Sequence, residues 1–225
     1  MRGTIPYFLF LTLFFFSFTA LKAQPAPEGM RPNPPVQVEL SAGYEKTLFQ
    51  SIIIKPLDKK HRFDFFNISY FDNYYDDENK PFNEGLIQTY VAYNFIKGVG
   101  VGLGGTYNSF GGVSANLVGQ FVNAGPNHLI VFFATIYLEE NPQYEAFTQL
   151  QYRFRLNDDW RLFTQLMALT NWVELEDHNR SFQQLRVGLD YRNYQFGIGA
   201  DFDQYTPLPE RKGQVGLFVR AEIFN

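Results

Sequence analysis

In three segments between Gln184 and Phe224 the chain alternates apolar and polar residues with a period of two, and no other feature limits its fold so strongly. Leu185, Val187, Leu189 and Tyr191 share one side of an extended segment, with Gln184, Arg186, Gly188, Asp190 and Arg192 on the other. Phe196, Ile198, Ala200 and Phe202 then oppose Gln195, Gly197, Gly199, Asp201 and Asp203. Val215, Leu217, Val219, Ala221 and Ile223 oppose Gly216, Phe218, Arg220, Glu222 and Phe224. A strand sorts such residues onto two faces of a sheet, whereas a helix would scatter them around its axis.

The same reading extends over residues 36–225, where no helical stripe and no apolar run long enough to span a membrane as a helix occurs. It predicts about twelve strands, beginning near Val36, Phe49, Arg62, Gly85, Val99, Val113, Leu129, Tyr144, Trp160, Phe182, Tyr194 and Gln214. Turn chemistry separates them at Lys97-Gly98, Asn123-Ala-Gly-Pro, Asn157-Asp-Asp and Arg192-Asn193. The alternate glycines of the segment 99–105 are read as making room inside a curved wall, not as a nucleotide loop, because no helix follows them.

Two kinds of barrel alternate in this way. A soluble, lipocalin-like barrel would turn its apolar face inward and its Lys and Glu to water. The polar sets here hold Gly, Gln, Asn and Arg, which suit a crowded lumen. The reading is therefore an all-β, antiparallel, up-and-down transmembrane barrel, with lipid outside. Aromatics form 18% of the chain, and Tyr107, Tyr137, Tyr152, Trp160, Trp172 and Tyr191 are expected in two interfacial girdles. A mean hydropathy of −0.22 agrees, since only alternate residues face lipid.

Residues 1–23 read as a signal peptide, with Arg2 ahead of the apolar run Tyr7 to Ala20 and a small residue, Ala23, before Gln24. Residues 24–35 hold five prolines and read as an extended arm, leaving 36–225 for the barrel. Short connections are expected on the periplasmic side. Longer ones, near 72–84, 108–112, 138–143, 171–181 and 204–213, are expected outside. The penultimate Phe224 ends an amphipathic strand of the type that barrel-assembly machinery reads. The expected localisation is the outer membrane, with its lipid bilayer as one partner.

Parity places a set of candidate solute-contacting residues on the lumen side. They are Glu145, Phe147, Gln149, Gln151, Arg153 and Arg155 on the eighth strand, and Arg161, Phe163 and Gln165 on the ninth. Tyr90, Arg186, Asp190, Arg192, Asp201, Asp203, Arg220 and Glu222 complete it. Such a lining fits a passive channel selecting a small polar solute through charges and hydrogen bonds. The same mixture of signs also fits ion pairs that fill a closed barrel serving as a binding or structural scaffold.

Other chemistries have little support. With no cysteine, disulfides and thiolate metal sites are excluded. The acidic stretches 72–78 and 174–178 match no calcium loop, so neither a metal nor a cofactor is expected. A net charge of −4 without a basic tract argues against nucleic acid. His178 and Ser181 make the only local base and nucleophile pair near the outer rim, a slender basis for a lipid hydrolase, and a non-enzyme is expected.

The stretch Ile-Lys-Pro-Leu-Asp-Lys-Lys-His-Arg-Phe-Asp-Phe-Phe-Asn-Ile-Ser-Tyr-Phe-Asp, residues 54–72, combines a polar turn with a Phe-rich strand carrying Asp64. It resembles the early hairpin of the Tsx-like, nucleoside-specific channel-forming outer-membrane proteins. The resemblance implies a monomeric channel with aromatic-lined nucleoside sites, and maps no individual site residue.

Overall fold

A computed structural model of the protein describes residues 34–58, 60–206 and 211–224. The expected signal peptide and most of the proline-rich arm lie outside them. The described chain forms twelve strands: β1 Val36–Gly43, β2 Lys46–Pro56, β3 Phe63–Tyr74, β4 Gly85–Ile96, β5 Val99–Asn108, β6 Gly112–Ala124, β7 His128–Tyr137, β8 Gln143–Arg155, β9 Trp160–Val173, β10 Asp177–Tyr191, β11 Tyr194–Tyr205 and β12 Arg211–Ile223. Each pairs antiparallel with its neighbours in sequence, and β1 pairs with β12 from Val36↔Ile223 to Gly43↔Gly216, so the sheet closes without an edge. Closure satisfies every ladder, which a lipid environment demands.

The alternation sorts outward and inward faces. Leu103, Val187, Ile198, Leu217 and Val219 are exposed on the outer wall, and Leu217 is 69% exposed. A continuous apolar exterior on a closed barrel is the surface of a protein in a bilayer. With the inward polar set below, it makes this chain a transmembrane β-barrel of the outer-membrane type. Tyr107, Phe110 and Trp172 are exposed near the rim remote from β1's start, and Phe63, Tyr93, Phe95 and Tyr194 near the opposite rim. Tyr137, expected in a girdle, instead points inward and is buried, because it shares its strand face with Phe133 and Thr135.

The connections differ from expectation in one place. The long outer loop read at 171–181 is absent: β9 and β10 run on to a tight turn at Glu174–Glu176. Glu174 and Leu175 both take positive φ, 52° and 62°, and the Glu176 amide bonds the Val173 carbonyl at 3.0 Å. This is the geometry of a type I′ hairpin turn, built here without the Asn or Gly that usually announces it. The longest connection, Tyr75 to Glu84, carries a single 3₁₀ turn at Lys80–Phe82 and stands on the rim remote from β1's start.

Glycine governs the inner wall in two places. Gly104 lies opposite Tyr90, and a Cβ there would meet the Thr89 carbonyl oxygen at 2.0 Å and Tyr90 Cβ at 2.5 Å. At Gly199 a Cβ would fall 2.9 Å from Arg186 Nη1, so the bare position makes room for that guanidinium.

Candidate functional site

The interior divides into an apolar and a charged half. On the β3, β4, β7 and β8 side, Phe66 stacks on Tyr90 with centroids 4.8 Å apart and meets Phe133 edge-on at 4.6 Å. Phe133 in turn stacks on Phe147 at 5.7 Å. Ile52, Val118, Val131 and Met167 pack against this cluster. Such ring pairs add stability beyond the area they bury.

The charged half descends through the barrel in three layers. In the outer layer Lys46 Nζ lies 2.8 Å from Asp72 and 3.3 Å from Asp203. Arg180 bonds Asp203 at 2.9 Å and also Glu84. In the middle layer Arg186 donates to Glu39 at 2.8 Å and to Asp201 at 2.6 Å. Arg220 donates to Glu39 at 2.9 Å and to Gln165 at 2.6 Å, and lies 5.1 Å over the Phe163 ring. The layer nearest β1's start joins Arg153 to Asp190, at 3.2 Å, and to Glu222. Buried charges are tolerable only when paired in this way.

Burial shows that the middle of the barrel is filled. The Arg186 and Arg220 side chains are 0% and 1% exposed, and Phe163, Met167, Val118 and Val131 are equally inaccessible. Open space lies above them. A cavity of about 510 Å³ is enclosed by the outer halves of the strands and opens at the rim remote from β1's start. Its floor includes Gln50, Phe66 and Phe147; its walls carry Glu145, Arg180, Tyr70, Phe182, Asn171 and Tyr205; Pro81 and Phe82 lean in from the longest connection. That volume falls in the range of small-molecule sites.

The residues selected by parity thus occupy four environments. Glu145 and Phe147 line the vestibule. Tyr90, Gln149, Arg153, Phe163, Gln165, Arg186, Asp190, Asp201, Asp203, Arg220 and Glu222 lie in the packed interior or its ion pairs. Arg161 is half-buried at the rim nearest β1's start, in register with Asp190. Arg155 and Arg192 leave the lumen altogether. Arg155 is 71% exposed and paired with Asp158. Arg192 is an exposed turn residue with φ 58°. Arg155 is the last residue of β8 and Arg192 lies in the turn after β10, so the wall beyond them no longer holds their side chains inward.

Sequence reasoning passed over Glu39, the hub of the middle layer, and Lys46, Asp72, Glu84 and Arg180 in the outer one. Glu39 carried a signal, since Gln37, Glu39 and Ser41 alternate with Val36, Val38 and Leu40. The others stand at strand ends that look like loop in the sequence.

His178 and Ser181 do meet. Nε2 lies 2.8 Å from Ser181 Oγ, and Nδ1 lies 2.7 Å from Thr206 Oγ1. Ser181 Oγ also bonds Thr170 Oγ1 at 2.9 Å, and among the described residues no carboxylate lies within ion-pair distance of the imidazole. The pair sits on the outer face of the wall with Trp172, away from the vestibule walls named above. It has the spacing of a base and a nucleophile but, among the described residues, lacks the ionic group that orients a strong one.

No family model and no curated protein matches the sequence. Among solved structures, the NanC porin is 8% identical, the alignment covering 85% of this chain and 100% of that one, with a TM-score of 0.49. The KdgM porin is 9% identical over 84% and 99% of the two chains, with a TM-score of 0.45. The outer membrane protein Omp33 of Acinetobacter baumannii is 12% identical over 86% and 100%, with a TM-score of 0.43. The assignment to a transmembrane barrel rests on strand register and the apolar exterior, and takes nothing from these likenesses.

Proposed function

We propose that this protein takes a small polar solute into its outward vestibule and passes it only when the middle ion-pair layer parts, so that it works as a gated channel. The observation that carries the reading is the one-sided cavity above an interior sealed by Arg186 and Arg220. Charged and hydrogen-bonding groups on the vestibule wall suit a polar solute, and Phe147, Phe182 and Tyr70 offer faces for a flat one. The Tsx-like resemblance of residues 54–72 makes nucleosides one class to try within this reading. Signal-peptide cleavage before Gln24 and delivery by the barrel-assembly machinery belong to the same proposal.

Planar-bilayer recording of the refolded protein tests it. The wild type should show small, infrequent steps, and Arg186→Ser combined with Arg220→Ser should enlarge or prolong them. A steady large conductance in the wild type would overturn the seal. An unchanged, silent double variant that is demonstrably folded would overturn the gate and leave a closed barrel.

A further inference from the structure

One buried carboxylate in the vestibule stands apart. The other seven buried carboxylates among the described residues each lie within 4.0 Å of a Lys or Arg nitrogen. Glu145, 8% exposed, has no such partner among them. Its Oε2 accepts a hydrogen bond from Tyr137 Oη at 2.9 Å. Arg180, the basic residue on the same cavity wall, is already committed to Glu84 and Asp203. Neutral donors soften the burial of a carboxylate but do not supply its missing counter-charge.

The surroundings point the same way. Glu145 lines the cavity that opens outward, so a solute can reach it. Tyr137 and Phe147 line the same cavity and place two aromatic rings next to it. Rings beside a carboxylate form a surface that attracts a cation. A second group, Gln88, is 5% exposed on the cavity wall, and its Nε2 has no hydrogen-bond partner among the described residues. An ammonium at Glu145, with a neutral acceptor atom elsewhere in the same ligand for Gln88, would satisfy both.

We infer that the vestibule is a site for a small organic cation, a compact ammonium compound, held by Glu145 between Tyr137 and Phe147. The inference rests on the vestibule reading and narrows its solute class.

Three probes of one shape and different charge test it: benzylammonium, benzyl alcohol and benzoate, titrated calorimetrically into the folded full-length protein in detergent micelles. Benzylammonium should bind about tenfold more tightly than benzyl alcohol, the factor of one charge-assisted hydrogen bond, and benzoate more weakly than either. Glu145→Gln should abolish that preference and leave benzyl alcohol unchanged, whereas Glu145→Asp should keep part of it. Equal binding of the charged and neutral probes, or a preference that survives in Glu145→Gln, overturns the cation site while the vestibule stands. Binding of none of the three to the wild type overturns the vestibule reading itself. Should Glu145→Gln fail to fold, the ranking of the three probes on the wild type still decides the matter.

Discussion

At the residue scale the clearest case is a carboxylate outside the membrane. Asp58 follows β2 and accepts backbone hydrogen bonds from Arg62 at 2.7 Å, Phe63 at 2.8 Å and Lys60 at 3.2 Å. The Phe63 bond does most to hold its carboxyl below the usual carboxylate range, and the Arg62 and Lys60 amides and the Arg62 charge help. A group depressed on folding stabilises the turn above its unfolded pKa, and that contribution is lost as pH falls through the lower folded value. The Arg62 and Phe63 amides should therefore stay protected from hydrogen exchange well below the pH at which an ordinary Asp titrates, and then lose protection together. Asp58→Asn should remove the pH dependence. An Asp58 chemical shift that titrates at the ordinary carboxylate value would contradict the assignment.

At the element scale the test is facing. Leu189 and Leu217 lie on the lipid side of β10 and β12, with Arg186, Asp190 and Arg220 on the inner side of the same strands. A one-residue slip would turn every charge in these strands outward. Arginine on the lipid face near mid-bilayer costs about 2–4 kcal/mol, so Leu217→Arg should lower folding yield in vesicles far more than a vestibule substitution such as Gln143→Arg. Cysteine labelling separates three surfaces. In intact membranes a water-soluble thiol reagent should modify position 143 in the vestibule and spare 187 and 217 under lipid. It should also spare 186 and 220, which the seal excludes. Ready labelling at 217 with protection at 143 would contradict the orientation.

At the scale of the whole molecule, the ion-pair layers join strands far apart in sequence. Glu39 on β1 is bonded by Arg186 of β10 and Arg220 of β12, across the seam that closes the barrel. Removing one partner of a buried pair leaves a charge uncompensated, at a cost of about 3–5 kcal/mol. Arg186→Ala strands Asp201 with Gln214 as its remaining bond, at 3.1 Å. Its unfolding midpoint in urea should fall accordingly, and the folded form on an unboiled gel should convert at lower temperature. A change within error would mean that the layer fills space without holding the seam.

The sequence by itself determined the strand count, the antiparallel order and the facing of the last five strands. Those properties are local: a period of two and a turn signal are both read within ten residues. Strand ends were less legible. The β9–β10 turn closes on Glu174 and Leu175, residues that carry no turn preference, so Arg180 and His178 read as loop although both stand in a ladder. What filled the lumen was not legible at all. The sequence fitted an open charged channel and a packed one equally, because whether Arg186 faces water or Glu39 depends on how twelve strands curve and which inner side chains meet across the axis. Only the tertiary structure decided that. It paired the charges of the middle layer, stacked Phe66, Tyr90 and Phe133 opposite them, and left Glu145 without a counter-charge among the described residues, in a cavity that opens at the rim remote from β1's start.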